Sequence, residues 1–326
     1  MSFKNKKTNF THKFEFIYMK LFRSIVLLSF VLLLFSNCRS NTIKKTSKQE
    51  VIDTQETVPH AEKKELVTSF NYWKKNPVPL VSAHRGGPYK GYPENAIETF
   101  QNIVNHTSTV IECDISMTRD SILVLMHDKT LDRTTTGKGD INDATFEELK
   151  QLKLVDNLGN TTTYTIPTLD EVLSWGKDKV LFTLDVKRGV PFQKVLAAVE
   201  KYNAQDYAAI ITYRIQDAIK VHELNKDVMI SVSARDDGAL AQIEKAKLPT
   251  DKLLGFVGTR LPSETHYTKL KSLGIKTILG TLGNLDKSAV AKGNDEVYLK
   301  YIENGANIIA TDRPLEVAEV LQKDKN

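Results

Sequence analysis

The chain has 326 residues, 41% of them hydrophobic and 26% charged, which is ordinary globular composition with length for a large single core. Its formal net charge of +5 is local: residues 1–37 carry six basic residues (Lys4, Lys6, Lys7, Lys13, Lys20, Arg23) and one acid, Glu15, so the chain's 45 Lys+Arg and 40 Asp+Glu fall to 39 of each from Cys38 onward. A formally neutral body gives no basis for nucleic-acid binding, so no nucleic acid is expected as a partner.

Lys20 and Arg23 precede an uncharged run, Ser24 to Asn37, rich in Leu, Val and Phe. That run is too short for a comfortable membrane span and has the length of a signal-peptide core. It ends Phe35-Ser36-Asn37-Cys38, which resembles a bacterial lipoprotein signal. Residues 1–37 are expected to be a signal peptide, with Met19 an alternative start. Cys38 is then lipidated, and residues 38–68, polar and lysine-rich, form a flexible tether. The protein is expected to be lipid-anchored in the cell envelope, outside the cytoplasm; an uncut anchor would put the body on the same side. With Cys38 lipidated, Cys113 has no partner for a disulfide. It reads as a small buried hydrophobe.

Residues 69–326 are expected to form one α/β domain, the usual size of a (β/α)8 barrel. Candidate strands are Leu80–Ala83, Val110–Ile115, Ile122–Met126, Val180–Val186, Ala208–Thr212, Val228–Val232, Leu253–Val257, Thr277–Leu279 and Ile308–Thr311. Candidate helices are Ala96–Val104, Leu169–Trp175, Phe192–Lys201, Gln216–Leu224, Asp237–Lys245, Glu264–Leu273, Asp295–Glu303 and Leu315–Gln322. Alternation of this kind implies parallel strands joined by right-handed crossovers. Ile122–Met126 follows its predecessor too closely for a helix between them, so it extends the second strand unit. Residues 128–168 break the rhythm and predict a small insertion over the barrel mouth, with a helical piece at Phe146–Leu152.

The chemistry-bearing residues sit at strand ends. His84 and Arg85 follow the apolar run Leu80–Ala83, and His127 follows Leu123–Met126. Barrel enzymes place catalytic groups there. Two such histidines suit general acid and base at a phosphodiester, and Arg85 suits a bidentate grip on phosphate. Glu112 and Asp114 are two apart in one strand and share a face, while Cys113 faces away. Two carboxylates side by side call for a hard cation such as Ca²⁺ or Mg²⁺. Asp185 and Lys187 repeat the spacing, as a third metal ligand and a phosphate neutraliser. Asp312 ends the last strand as a support for the mouth or a helix cap. Tyr89 and Tyr92 lie where they can wall the pocket. His12, His60, His106, His222 and His266 lack such a setting, and Trp73 and Trp175 read as packing residues.

His84-Arg85-Gly86, Pro93-Glu94-Asn95, Ile111-Glu112-Cys113-Asp114, His127-Asp128 and Leu131-Asp132-Arg133-Thr134-Thr135 with Gly137 and Gly139, in this order, resemble the glycerophosphodiester phosphodiesterase family. Ile166-Pro167-Thr168-Leu169-Asp170-Glu171 resembles the end of that family's insertion. The resemblance implies a TIM barrel with a small insertion, a bound Ca²⁺ or Mg²⁺, and hydrolysis to glycerol 3-phosphate and an alcohol. It implies Glu112 and Asp114 as metal ligands, His84 and His127 as acid and base, Arg85 on the phosphate, and Glu94 as ligand or orienting group. Two departures stand out. Asp185 replaces the family's usual glutamate before Lys187. The stretch from Ile278 to Asn284 lacks a tryptophan of the usual Trp-Thr-x-Asn, which leaves the headgroup specificity open. The attacking oxygen is that of water or of the glycerol hydroxyl.

Two rival readings remain. One is a phospholipase C- or D-like enzyme acting on lipid headgroups, consistent with a membrane tether. The other is a non-catalytic lipoprotein that binds a phosphorylated ligand. The expected partners are a small-molecule phosphodiester and a membrane reached through the lipid; no obligate protein partner is evident in the sequence.

Overall fold

The computed structural model of the chain describes residues 66–323. The expected signal segment, Cys38 and nearly all of the expected tether lie outside the described residues. Val67 donates its N–H to Ser108 Oγ at 2.8 Å and packs against the core, two residues ahead of the expected domain start.

Nine strands form one sheet. Eight are parallel: β1 (Leu80–Ala83), β2 (Thr109–Met117), β4 (Leu181–Val186), β5 (Ala208–Thr212), β6 (Met229–Ser233), β7 (Leu253–Phe256), β8 (Lys276–Gly280) and β9 (Ile308–Thr311). They run in the order β1-β9-β8-β7-β6-β5-β4-β2, and β2 pairs back onto β1, closing the barrel. Strands of this kind are buried on both faces and so read as apolar runs without clear alternation. All four residues of β1 and of β9 are buried. The ninth strand, β3 (Leu123–Leu125), pairs antiparallel with the end of β2 through Ile115↔Leu125 and Met117↔Leu123. It extends the second strand unit and stands outside the ring, as its closeness in sequence requires.

Helices α2 (Ile97–Val104), α4 (Leu169–Gly176), α5 (Phe192–Lys201), α6 (Ile215–Leu224), α7 (Asp237–Ala246), α8 (Glu264–Ser272), α10 (Val297–Glu303) and α11 (Pro314–Lys323) fall within two residues of expectation. Two others were not foreseen. The first, α1 (Phe70–Lys75), is six residues long, too short to show a period; Ser69 caps it, and Phe70 and Trp73 are fully buried. Lys74 Nζ from α1 reaches the carbonyls of Asp251 at 2.7 Å and of Thr250 and Leu253 at 3.2 Å, at the start of β7. The second, α9 (Asn284–Lys292), buries only Asp286 and Ala289, so its apolar stripe is faint.

Residues 128–168 carry a core of their own: Leu131, Ile141, Leu149, Leu154 and Ile166 pack with Ala96, Val124 and Met126. The helical piece is a single turn, α3 (Phe146–Leu149), shorter than the expected Phe146–Leu152 and started by a Thr145/Glu148 capping box. The Asp156 carboxylate accepts the N–H of Gly91 at 2.8 Å, which ties this segment to the loop after β1. A second capping box, Thr168 with Glu171, begins α4 and returns the chain to the barrel.

Candidate active site

The chain leaves β1 in a sharp 3-10 turn over His84–Gly86. Arg85 takes φ 52° and Gly86 φ 83°, both in the left-handed region. A Cβ on Gly86 would lie 2.1 Å from Phe100 Cε1, so glycine is required there. This turn presents His84 to the mouth, where its Nδ1 lies 2.7 Å from Asp312 Oδ1. Asp312 follows β9 and is itself braced: its N–H donates to Asp286 Oδ2 at 2.9 Å, and Thr311 Oγ1 donates to the same oxygen at 2.8 Å. Asp286 is 4% exposed. It was not singled out in the sequence, because it sits in the weakly patterned α9. Burial works against a proton on His84. The hydrogen bond to Asp312, with the charges of Glu112 and Asp312, outweighs it and raises the His84 pKa. The same contact holds Asp312 below the usual carboxylate range.

Glu112, Asp114 and Asp185 converge, with one carboxylate oxygen from each lying within 4.8 Å of the others. The register explains this: Asp114 on β2 is paired directly with Asp185 on β4, and Glu112 is two residues back on the same face. Cys113 faces away and is a fully buried free thiol. Glu112 Oε2 accepts the Arg85 N–H at 2.7 Å. Asp114 is clasped by Asn95, which donates Nδ2 to Oδ2 at 2.7 Å and accepts the Asp114 N–H at 3.0 Å. Burial, then the Asp114 charge, push the Glu112 carboxyl above its usual range.

Lys187 Nζ bridges Asp114 Oδ1 at 2.6 Å and Asp185 Oδ2 at 2.7 Å. It therefore serves these carboxylates first, and is less free for phosphate than its sequence suggested. Three carboxylates crowd around one ammonium, and a divalent cation would relieve the repulsion that, after burial, raises Glu112. Asp185 Oδ1 is buried with no hydrogen-bond partner among the described residues, as an oxygen reserved for a cation would be. The donor set is all oxygen, so it fits Ca²⁺ or Mg²⁺.

Glu94 stands apart from the carboxylate group. Its oxygens accept Arg133 Nη1 and Nη2, each at 2.8 Å, and Arg85 Nη1 at 3.2 Å. Both Glu94 oxygens are taken up by the two guanidinium groups. Arg85, expected on the phosphate, borders the site but spends Nη1 on Glu94. His127 Nδ1 lies 2.7 Å from Asp128 Oδ1. Arg133 then grips Asp128 through Nε at 2.7 Å and Nη2 at 3.0 Å. That guanidinium, followed by His127, holds the Asp128 carboxyl far below its usual range. Arg133 thus joins the Glu94–Arg85 pair to the Asp128–His127 pair.

Two cavities meet at the mouth. One, of about 300 Å³, is lined by both histidines, the three carboxylates and Lys187, and continues to Tyr213, Arg235, Phe256 and Thr259. The other, of about 570 Å³, lies between His84, Arg85 and Asp312 of the barrel and Arg133, Thr134 and Asp156 of residues 128–168. Tyr89 and Tyr92 line neither cavity. Tyr89 turns to the outer layer, donating its hydroxyl to Glu316 at 2.8 Å. The aromatic walls come from Tyr213 and Phe256, which no motif announced. His266 is buried against the Ala234 carbonyl at 2.7 Å and His106 bonds the Asn102 carbonyl at 2.7 Å, away from the site.

The family model described as the Glycerophosphoryl diester phosphodiesterase family matches residues 84–298. A glycerophosphodiester phosphodiesterase of Caldanaerobacter subterraneus subsp. tengcongensis is 36% identical over 152 residues, 44% of this chain and 62% of that protein. That match therefore spans less than two thirds of the relative's length. The Bacillus subtilis protein YhdW is 38% identical over 241 residues, covering 72% of this chain and 94% of its own. A crystal structure of a glycerophosphoryl diester phosphodiesterase from Parabacteroides distasonis superposes with a TM-score of 0.73 at 32% identity, covering 79% of this chain and 93% of that one.

Proposed function

The chain belongs to the glycerophosphoryl diester phosphodiesterase family, and from that premise we propose that it hydrolyses glycerophosphodiesters to glycerol 3-phosphate and an alcohol. One observation carries the reading: two histidines, each fixed by its own carboxylate, share a cavity with a convergent group of three carboxylates. Glu112, Asp114 and Asp185 would hold a divalent cation, Ca²⁺ or Mg²⁺. Such an ion supplies positive charge to the phosphate and lowers the pKa of the attacking oxygen.

The protein's own groups move the protons. Asp312 and Asp128 each engage an Nδ1, which leaves both Nε2 atoms for the reaction. One imidazole takes the proton of the attacking hydroxyl, either from water, which gives glycerol 3-phosphate directly, or from the substrate's glycerol, which gives a cyclic phosphate that a water then opens to glycerol 3-phosphate with the two imidazoles exchanging roles. The other gives a proton to the alcohol oxygen as its bond to phosphorus breaks. Arg85, steadied by Glu94, faces the phosphate from the adjoining cavity. Asp185 stands inside the carboxylate group, so its replacement of glutamate is no support for an inert binding protein.

The test is release of glycerol 3-phosphate from glycerophosphocholine, glycerophosphoethanolamine and glycerophosphoinositol with EDTA, Ca²⁺ or Mg²⁺. Metal-dependent turnover is expected, with His84→Ala and His127→Ala each reducing kcat about 100-fold or more. Silence on all three diesters with metal bound, or both variants within a few-fold of wild type, would sink the reading. The envelope location rests on Lys20, Arg23, the run Ser24–Asn37 and Cys38. Cys38→Ser should release the protein from the membrane fraction; membrane retention with no fatty-acid label on the wild type would count against a lipid anchor.

A further inference from the structure

The smaller cavity has a second wall, built by β5 to β8, to which the mechanism assigns no task. Arg235 and Phe256 line it, and none of its residues is acidic. Arg235 follows β6 and is paired with no carboxylate among the described residues. Its acidic neighbours are turned elsewhere. Asp236 caps α7 by accepting the Ala239 N–H at 2.8 Å, and Asp237 accepts Lys269 Nζ at 2.8 Å.

The arginine is exposed to solvent, and it lies over an aromatic ring. Its guanidinium carbon lies 5.7 Å from the centroid of the Phe256 ring. Gly280 gives the Phe256 ring its room: a Cβ there would lie 3.1 Å from Phe256 Cζ. The cavity is therefore polarised, with carboxylates on one wall and an uncompensated guanidinium on the other. A cationic headgroup such as a quaternary ammonium would need an open aromatic face. Here Arg235 already lies over the Phe256 ring, which leaves Tyr213 as the one other aromatic residue lining the cavity.

We propose that Arg235 selects substrates whose alcohol arm carries an anionic group, whether or not an ammonium is also present, over those whose arm carries none. The inference rests on the hydrolytic reading above and names its substrate class. Two matched pairs test it: glycerophosphoinositol against its 4-phosphate, and glycerophosphoethanolamine against glycerophosphoserine. Each pair differs by one phosphate or one carboxylate, so the pairs also separate the two kinds of anion.

In the wild type, kcat/KM for the anionic member should exceed its partner's by about tenfold, the scale of one charge-assisted contact. Arg235→Gln should bring that ratio close to one, and Arg235→Lys should keep its direction. Equal rates within both pairs would overturn the proposal. So would an unchanged ratio in Arg235→Gln, including a uniform loss on every substrate, since that would mark a contact to the shared phosphate. Calorimetric titration of the same pairs into the metal-loaded His127→Ala protein reads the preference as a ratio of Kd without turnover. Tighter binding of the anionic members there, with no hydrolysis by the wild type, would keep the role of Arg235 and remove the hydrolytic reading. Equal Kd ratios in His127→Ala with and without Arg235→Gln would overturn the selection itself.

Discussion

Asp185 carries more of the metal argument than its single position suggests. One of its oxygens accepts from Lys187, and the other is buried without a well-formed hydrogen bond, with the Tyr213 hydroxyl near the carboxylate. Leaving a buried carboxylate oxygen unpaired costs about 1–3 kcal/mol, and that cost is recovered when a cation binds. Asp185→Asn should therefore weaken Ca²⁺ or Mg²⁺ binding by about tenfold or more, because the lost charge faces the ion directly. Calorimetry with the metal alone checks this, and an unchanged Kd would place the ion elsewhere. The His84–Asp312 pair makes a second prediction, on pH. The folded state raises His84 above its ordinary 6.5, so this contribution is complete below that value and drains away as pH rises through the folded pKa. The folded state lowers Asp312 below its ordinary 3.8, so its contribution is present above that value and is lost as pH falls. Asp312→Asn should thus cost most stability between about pH 4 and 6.5 and less on either side. Urea midpoints of the two proteins across pH 3–9 measure the difference; a pH-independent gap would refute the pairing.

At the scale of elements, the segment 128–168 does more than cover the mouth. Arg133 reaches from it into two pairs at once, with four contacts of 2.7–3.0 Å to Glu94 and Asp128. Through Glu94 it steadies Arg85, and through Asp128 it steadies His127. Removing it should let both partners drift, and a misplacement of about 1 Å can cost about 100-fold in rate. We expect Arg133→Ala to lower kcat strongly while the metal Kd stays the same, since Glu94 and Asp128 lie outside the carboxylate group. Arg133→Lys should not restore full rate, because an ammonium cannot make the paired fork contacts. Loss of metal binding in Arg133→Ala would point to a general structural role instead.

The whole molecule joins a rigid ring to a shaped mouth. The eight strands fix Glu112, Asp114 and Asp185 by register, and the turns beyond their ends place His84, His127 and Asp312. Because the carboxylates repel one another in the folded chain and not in the unfolded one, a bound cation should stabilise the fold as a whole. At a concentration 100 times Kd the gain is about 2.7 kcal/mol, a rise in Tm on the order of 5 °C for a domain of this size. Thermal unfolding with and without EDTA measures it, and Asp185→Asn should lose most of the shift.

Much of this was legible in the chain itself. The apolar runs and their spacing specified eight parallel strands and the displaced ninth, because burial on both faces demands unbroken apolar sequence. The period of two in Glu112-Cys113-Asp114 assigned both acids to one face, and the strand-end positions of His84 and His127 marked the mouth. Three things depended on contacts between distant segments, which leave no local pattern. Arg133 and Glu94 are 39 residues apart in sequence yet share two hydrogen bonds. Asp286 reads as one polar residue in a faint helix until the fold brings Thr311 and Asp312 to it. Arg235 looks like any surface arginine until β6 and β7 set it over Phe256, with no acid left to neutralise it. Local sequence determines what each strand and turn can be; which side chains meet across the mouth is decided by barrel closure alone.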